Sequence, residues 1–262
     1  EREAVAPSGG IRIATTSPAV GVMLRDFNAE SLVVGRSGYD VALDPQLPVV
    51  GDMAGFDLER FSTIGATHVF VETGAASPPQ GLVEVSESAG FDLIAFELTS
   101  LEHLTELAIR VYSLVSPHTQ AGPEPGTRFG SALRQDASLA DAGTVLLLLG
   151  GSAPAALGPG SVHHEVLVAM GGTPAIEAGR PYMPLDSEDL IEISPRCIVL
   201  FAPERAESWE ELIGPVADLP LPAIESGRVL VLRDADVLMA STSTLRYADA
   251  LRAQLERWAQ ER

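Results

Sequence analysis

Short apolar runs alternate along this chain with amphipathic stretches, and the alternation sets the expected elements. Residues 11–15 form a brief apolar run that reads as a strand, and "SPAVGVMLRDFNA" after it reads as a helix. Ser17 before Pro18 is a helix start, with the hydroxyl placed to cap free backbone N–H groups and the proline suited to the first turn. "SLVVG" gives a second strand, "DLERFSTIG" a short amphipathic helix, and "THVFVETG" a third strand ending at Glu72. Then "GLVEVSESAG" reads as helix, "DLIAFEL" as strand, and "SLEHLTELAIRVYSLV" as a helix capped by Ser100. Strand and helix in strict turn predict a small doubly wound α/β sheet with right-handed crossovers.

"SPHTQAGPEPG", with three prolines and two glycines, interrupts the pattern and reads as a linker or exposed loop, followed by a helix candidate over 127–137. The alternation then restarts. "TVLLLLG" is a buried strand, and "SVHHEVLVAMGG" is a helix closed by Gly171. "SEDLIEIS" is a short helix before the strand "RCIVLFA". "SWEELIGPVADL" reads as helix, "RVLVLR" as strand, and "LRYADALRAQLERWAQ" as the terminal helix. Both halves carry one phrase, an acidic helix and then an apolar strand: "DLERFSTIGATHVFVE" and "SEDLIEISPRCIVLFA". The expected organisation is a disordered tail (1–10), an N-terminal lobe (11–115), a linker with a bridging helix (116–143) and a C-terminal lobe (144–262). Two lobes joined once imply a ligand cleft between them.

Charge narrows the function classes. With 36 acidic and 17 basic residues the net charge is −19, a surface that repels a phosphate backbone, so no nucleic acid partner is expected. No stretch reaches the roughly 18 apolar residues that a membrane span requires. Cys197, the sole cysteine, lies in an apolar run and reads as a buried small hydrophobe; no internal disulfide can form. The chain opens at Glu1 rather than methionine, so a leader or anchor ahead of it stays open.

Catalytic and metal motifs are missing: there is no P-loop, G-x-G-x-x-G, H-E-x-x-H or G-x-S-x-G. Of the five histidines only His163 and His164 adjoin, and helical neighbours point about 100° apart, a poor chelating pair, so no protein-encoded metal site is expected. Asp40 with Asp44, and Asp186 with Glu188 and Asp189, are the nearest approach to acid–base pairs, but carboxylates beside helix starts are explained by the free N–H groups there. No serine or cysteine has an identifiable base, so the chain is not read as an enzyme, and no catalytic residue or cofactor is assigned. The turn in "ALGPGSVHH" admits two readings: a backbone cradle for an anion, or a flexible turn.

Five segments together resemble the class III substrate-binding proteins of ABC importers, the clan that captures vitamin B12, haem and iron-siderophores. They are "RIATTSPAV", "LVVGRSGYDVALDPQLPVVGD", "DLERFSTIGATHVFV", "GPGSVHHEVLVAMGGTPAI" and "LDSEDLIEISPRCIVL", in matching order from about Ile11 to Gln260. The vitamin B12-binding branch is the most similar. The resemblance implies two Rossmann-like α/β lobes joined by a bridging helix with the ligand in the cleft, a monomer, and a periplasmic or extracytoplasmic location. It also implies delivery to a membrane permease through two lobe-surface glutamates, which fall on Glu59 in "DLERF" and Glu188 in "DSEDL". The plainer reading of both is a carboxylate on a helix dipole.

In the B12 branch, loop aromatics sandwich the corrin. One falls on Tyr39, whose glycine neighbours would lift the ring into the cleft, and another on Tyr182 in "GRPYMP", read as an aromatic in a turn. Gly160, Ser161, His163 and Arg246 complete the expected ligand wall together with Glu72. Glu72 departs from the branch, standing where corrin would meet a flat aromatic. The proline-aspartate before each lobe's strand is here Ala66-Thr67 and Pro195-Arg196, and "SPHTQAGPEPG" interrupts the expected long bridging helix. Haem would call for an axial tyrosine or histidine, with Tyr39, Tyr182, His163 and His164 as candidates. An anionic ferric siderophore would call for basic residues, of which Arg36, Arg180 and Arg246 flank the mouth. The alternative is a binding-protein-like module without a transporter, in a structural or sensory role.

Overall fold

The structure, a computed structural model, describes residues 10–52, 54–74, 76–150, 154–202 and 208–261. It divides into two units: one runs to Leu98 and resumes over His103–Pro125, and the other takes Thr99–Glu102 and everything from Gly126 onward.

The first unit is built on one six-stranded sheet. Its strands are β1 (Ile13–Thr15), β2 (Val33–Ser37), β3 (Val49–Asp52), β4 (Gly55–Phe56), β5 (His68–Glu72) and β6 (Asp92–Phe96), in the order β4-β3-β2-β1-β5-β6. All neighbours pair parallel except β3 with β4. Helices α1 (Pro18–Asp26), α2 (Leu58–Thr63) and α3 (Gln80–Ala89) connect its strands, and α4 (Leu101–Val115) follows the last of them. β2 lies two residues later than the apolar run "SLVVG" suggests. Glu30–Leu32 forms a 3-10 turn instead, and Arg36 and Ser37 extend the strand because they pair with Val49 and Gly51 of β3. Ala14, Val69 and Val71 from the central strands pack with Phe61 of α2 and Leu82 of α3, all of them buried. Each fully buried valine, leucine or phenylalanine among them contributes about 1.5–3 kcal/mol.

The second unit holds a separate six-stranded sheet. It comprises β7 (Thr144–Leu149), β8 (Ala155–Leu157), β9 (Thr173–Pro174), β10 (Tyr182–Pro184), β11 (Cys197–Phe201) and β12 (Val229–Leu232), ordered β10-β8-β7-β11-β12 with β9 also on β7. β7, β11 and β12 are parallel, whereas β8 runs antiparallel to both β7 and β10. "CIVLF" is buried at every position, the continuous apolar run of a central parallel strand covered on both faces. Around the sheet lie α5 (Pro125–Ala132), α6 (Val162–Met170), α7 (Ser187–Ile193), α8 (Trp209–Ile213), α9 (Pro222–Glu225) and α10 (Ser243–Gln260).

Local chemistry explains most of the ends. Gly171 closes α6 in the left-handed region at φ 96°, as its sequence suggests. The helix expected over 127–137 begins earlier, with Pro125 at its first residue, where a missing N–H costs nothing, and stops at Ala132. "SWEELIGPVADL" is not one helix: Gly214, at φ 54°, ends α8, and a 3-10 turn follows over Gly214–Asp218. The segment 116–143 holds a 3-10 turn, α5 and a second 3-10 turn; two helices have residues in both units, α4 ahead of that segment and α5 within it, which gives only Pro125 to the first unit.

Candidate functional site

In the first sheet, strand order reverses at β1, with β2 on one side and β5 on the other. Outside the carboxyl ends of parallel strands at such a reversal is where α/β sheets bind ligands. Ser17 follows β1 there, and Glu72 ends β5 beside it. Ser17 does not cap α1 as its position suggests. Its hydroxyl instead donates to Glu72 Oε2 at 2.8 Å, while Ser17 itself is fully buried. Glu72 is therefore a half-buried, hydrogen-bonded carboxylate rather than a bare charge.

Tyr39 stands at the same edge, in the turn after β2, and is 68% exposed. The next residue holds the turn. Asp40 Oδ1 accepts from the backbone N–H groups of Ala42 and Leu43, at 2.8 and 2.7 Å, and the other oxygen lies buried against α1. A Cβ at Gly21 would sit 1.8 Å from that Oδ2, so only glycine lets the carboxylate close in. Arg36 staples the following loop, donating to the carbonyls of Ser37 at 2.9 Å and Pro45 at 3.0 Å. With Asp40 turned in, the tyrosine ring is left facing solvent.

In the second unit the expected residues fall into two groups. Gly160, Ser161 and Tyr182 are brought together, because the 158–161 turn packs on Pro181: Gly158 N–H donates to Pro181 O at 3.0 Å, and a Cβ on Gly160 would lie 3.2 Å from the proline ring. Ser161 caps α6, accepting from His164 N–H at 3.2 Å and donating to Gly158 O at 2.8 Å. The N–H groups of Gly158, Ser161 and His164 are thus engaged within the protein, the bonding pattern of a closed turn. Tyr182, 55% exposed, is not in a turn: it opens the edge strand β10, paired with Leu157.

His163 is turned into the core rather than toward a ligand surface, and Arg246 is engaged in ion pairs. His163 is 5% exposed, its Nε2–H donates to Val237 O at 2.8 Å, and its ring meets Phe201 edge-on at 4.9 Å. Burial holds its pKa below the ordinary histidine value. It is a core residue. His164 Nε2 is likewise engaged with Ile176 O at 3.1 Å. The Arg246 guanidinium is held by both oxygens of Asp236, at 2.9 and 2.8 Å, and by Asp234 at 3.6 Å, so its charge is matched within the unit.

Glu59 and Glu188 occupy equivalent places, in the first turns of α2 and α7, and both are exposed. Neither is the capping residue. Asp57 caps α2, accepting from Arg60 N–H, and Asp186 with Asp189 forms a reciprocal capping box on α7. Both glutamate carboxylates project without a hydrogen bond or ion pair among the described residues. A recess of about 600 Å³ lies along α7, floored by Ile176, Met183 and Ile193. Sequence reasoning missed the Ser17–Glu72 pair and the Asp40–Gly21 lock; the aspartate two residues ahead of a free backbone amide was the readable sign of the second.

No family model and no curated protein matches this chain. Solved structures do. The periplasmic heme-binding protein RhuT from Roseiflexus sp. RS-1 is 21% identical with a TM-score of 0.64, covering 96% of this chain and 100% of its own. The periplasmic vitamin B12 binding protein BtuF of Vibrio cholerae is 19% identical with a TM-score of 0.67, covering 96% and 98%. The siderophore periplasmic binding protein from the fuscachelin gene cluster of Thermobifida fusca is 17% identical with a TM-score of 0.70, covering 98% and 100%. The chain therefore has the two-sheet α/β fold of the periplasmic binding proteins for haem, vitamin B12 and siderophores. Among the described residues, no helix is long and apolar enough to cross a membrane.

Proposed function

We propose that this protein is an extracytoplasmic solute-binding protein that captures a metal chelate and delivers it to the permease of an ABC importer. The observation that carries this reading is the fate of the tyrosines on a fold whose solved examples bind haem, vitamin B12 and siderophores. Two of the four are structural: Tyr112 donates to Gly122 O, and Tyr247 is buried with its hydroxyl on His163 O. The other two, Tyr39 and Tyr182, are left exposed, one in each unit. An exposed tyrosine ring offers a planar ligand contact area at little cost in entropy, and its phenolate can reach iron.

Among the three chelate classes haem fits best. Both histidine candidates have Nε2 engaged with a backbone carbonyl, which leaves the phenols as the available axial groups. Arg246, matched by two aspartates, offers little to an anionic siderophore. Titration with haemin, cyanocobalamin and a ferric siderophore, followed by absorbance, tests the reading. Haemin should saturate at one equivalent, and Tyr39→Ala and Tyr182→Ala should each weaken it by about 1–3 kcal/mol, the range of interface hot spots. Failure of all three chelates to bind at micromolar concentration would overturn it. A second reading, a binding module without a transporter, draws on the position of Glu59 and Glu188 in first helical turns, where the helix dipole alone accounts for them.

A further inference from the structure

All 17 basic residues of this chain are arginine, against 36 acids, yet three of them converge on one recess. The recess, about 390 Å³, lies in the second unit between α5, the residues just after it, and α10. Arg128, Ser131, Arg134, Leu245, Asp249 and Arg252 line it. Three arginines lining one small recess bring like charges near one another, and a chain with so many carboxylates to place has put only one, Asp249, on its wall. Asp136 is close by, but its carboxylate is committed to the N–H and hydroxyl of Ser138, at 3.0 and 2.7 Å.

Arg252 shows how the recess is built. One terminal nitrogen of its guanidinium donates to the carbonyls of Ala132, at 3.1 Å, and Arg134, which fixes the plane of the group across the end of α5. The other terminal nitrogen, Nη1, is buried and has no hydrogen-bond partner. A buried cationic N–H left unpaired is costly, and native structures leave few such groups without a water or an ion. Ser131 adds a hydroxyl from the last turn of α5, and buried Leu245 floors the recess. Planar guanidinium forks, with a hydroxyl on the same wall, match the oxygens of a tetrahedral or planar oxyanion better than point charges would.

From these observations we infer that the recess formed by Arg128, Arg134 and Arg252 is a binding site for an oxyanion of the phosphate class, separate from the tyrosine-bearing surfaces. The shared chemistry is a phosphoryl group, carried by a soluble phosphate or by an anionic lipid headgroup. The inference does not depend on the chelate-binding reading, and its test uses no chelate.

The test titrates inorganic phosphate into the full chain by calorimetry, with sodium chloride holding the ionic strength constant. In parallel, the chain is sedimented with phosphatidylcholine vesicles, with and without phosphatidylglycerol. One saturable phosphate site in the parent chain, weakened about tenfold or more in Arg128→Gln, is the expected result. The Arg128 side chain makes no hydrogen bond among the described residues, so its replacement should leave the fold intact, and Arg134→Gln provides a second variant. Arg252→Gln should remove binding altogether, with circular dichroism checking that α5 survives the loss of its two carbonyl contacts. Cosedimentation only with phosphatidylglycerol, lost in Arg128→Gln, would assign the site to a lipid headgroup. Absence of saturable binding in both arms, or equal binding by parent and Arg128→Gln, would overturn the inference.

Discussion

Stability should fall as the pH drops from 7 to 5.5, with His163 responsible. The imidazole is almost fully enclosed, with Phe201 at 4.9 Å and Tyr247 at 5.5 Å, and a carbonyl can only accept, so Nε2 carries the proton shared with Val237 O. Charging the ring would place a cation among aromatic walls, which is why burial depresses the folded-state pKa. The unfolded chain, with an ordinary histidine pKa near about 6.5, then binds protons in this window that the folded chain refuses. The sign follows: nothing is lost above the unfolded value, and stability declines as the pH falls below it. One such proton is worth at most about 1.4 kcal/mol per pH unit, so the step from pH 7 to 5.5 should cost roughly 1 kcal/mol. Asp57 and Asp136 are held below the ordinary carboxylate range by hydrogen bonds from Arg60 and Ser138. Their contributions are present above that range and are lost only at more acid pH, outside the window. Guanidinium denaturation of the parent and His163→Gln at both pH values measures the effect. The glutamine amide nitrogen can keep the bond to Val237 but cannot titrate, so the variant should be nearly flat across the window. Equal pH slopes in parent and variant would refute the reasoning.

Cys197 is fully buried, and desolvation raises its pKa to about 11, so a bulky thiol reagent should leave it unlabelled until denaturant is added; rapid native labelling would contradict its place in β11. Glu59→Arg combined with Glu188→Arg should abolish chelate-stimulated ATPase activity of the cognate permease while chelate affinity stays unchanged, because both carboxylates are exposed and unpaired. Undiminished stimulation by that double variant, with only a stability loss, would leave the helix dipole as their whole explanation.

The parts of this architecture that depend on local backbone chemistry were legible in the chain, and the parts that depend on strand pairing were not. Central strands such as "TVLLLL" and "CIVLF" announce themselves because both faces are covered, and Tyr39 stands out because a turn follows β2. β10 carries no such mark: three residues become a strand only because β8, 25 or more residues earlier, offers them a partner. Read locally, Tyr182 sits between prolines and looks like a turn residue. His163 and His164 pose a related problem, since helical neighbours point about 100° apart, and nothing in "SVHHEV" says whether either turns inward. Ser17 is the clearest case. Its place before Pro18 predicts a cap, but β1 and β5, 55 residues apart, lie side by side, and the hydroxyl donates to a carboxylate at the end of β5 in a position from which its oxygen accepts no N–H of α1. Bonds to a charged acceptor are the stronger kind, so the order of strands, rather than the helix-start motif, decides where that hydroxyl points.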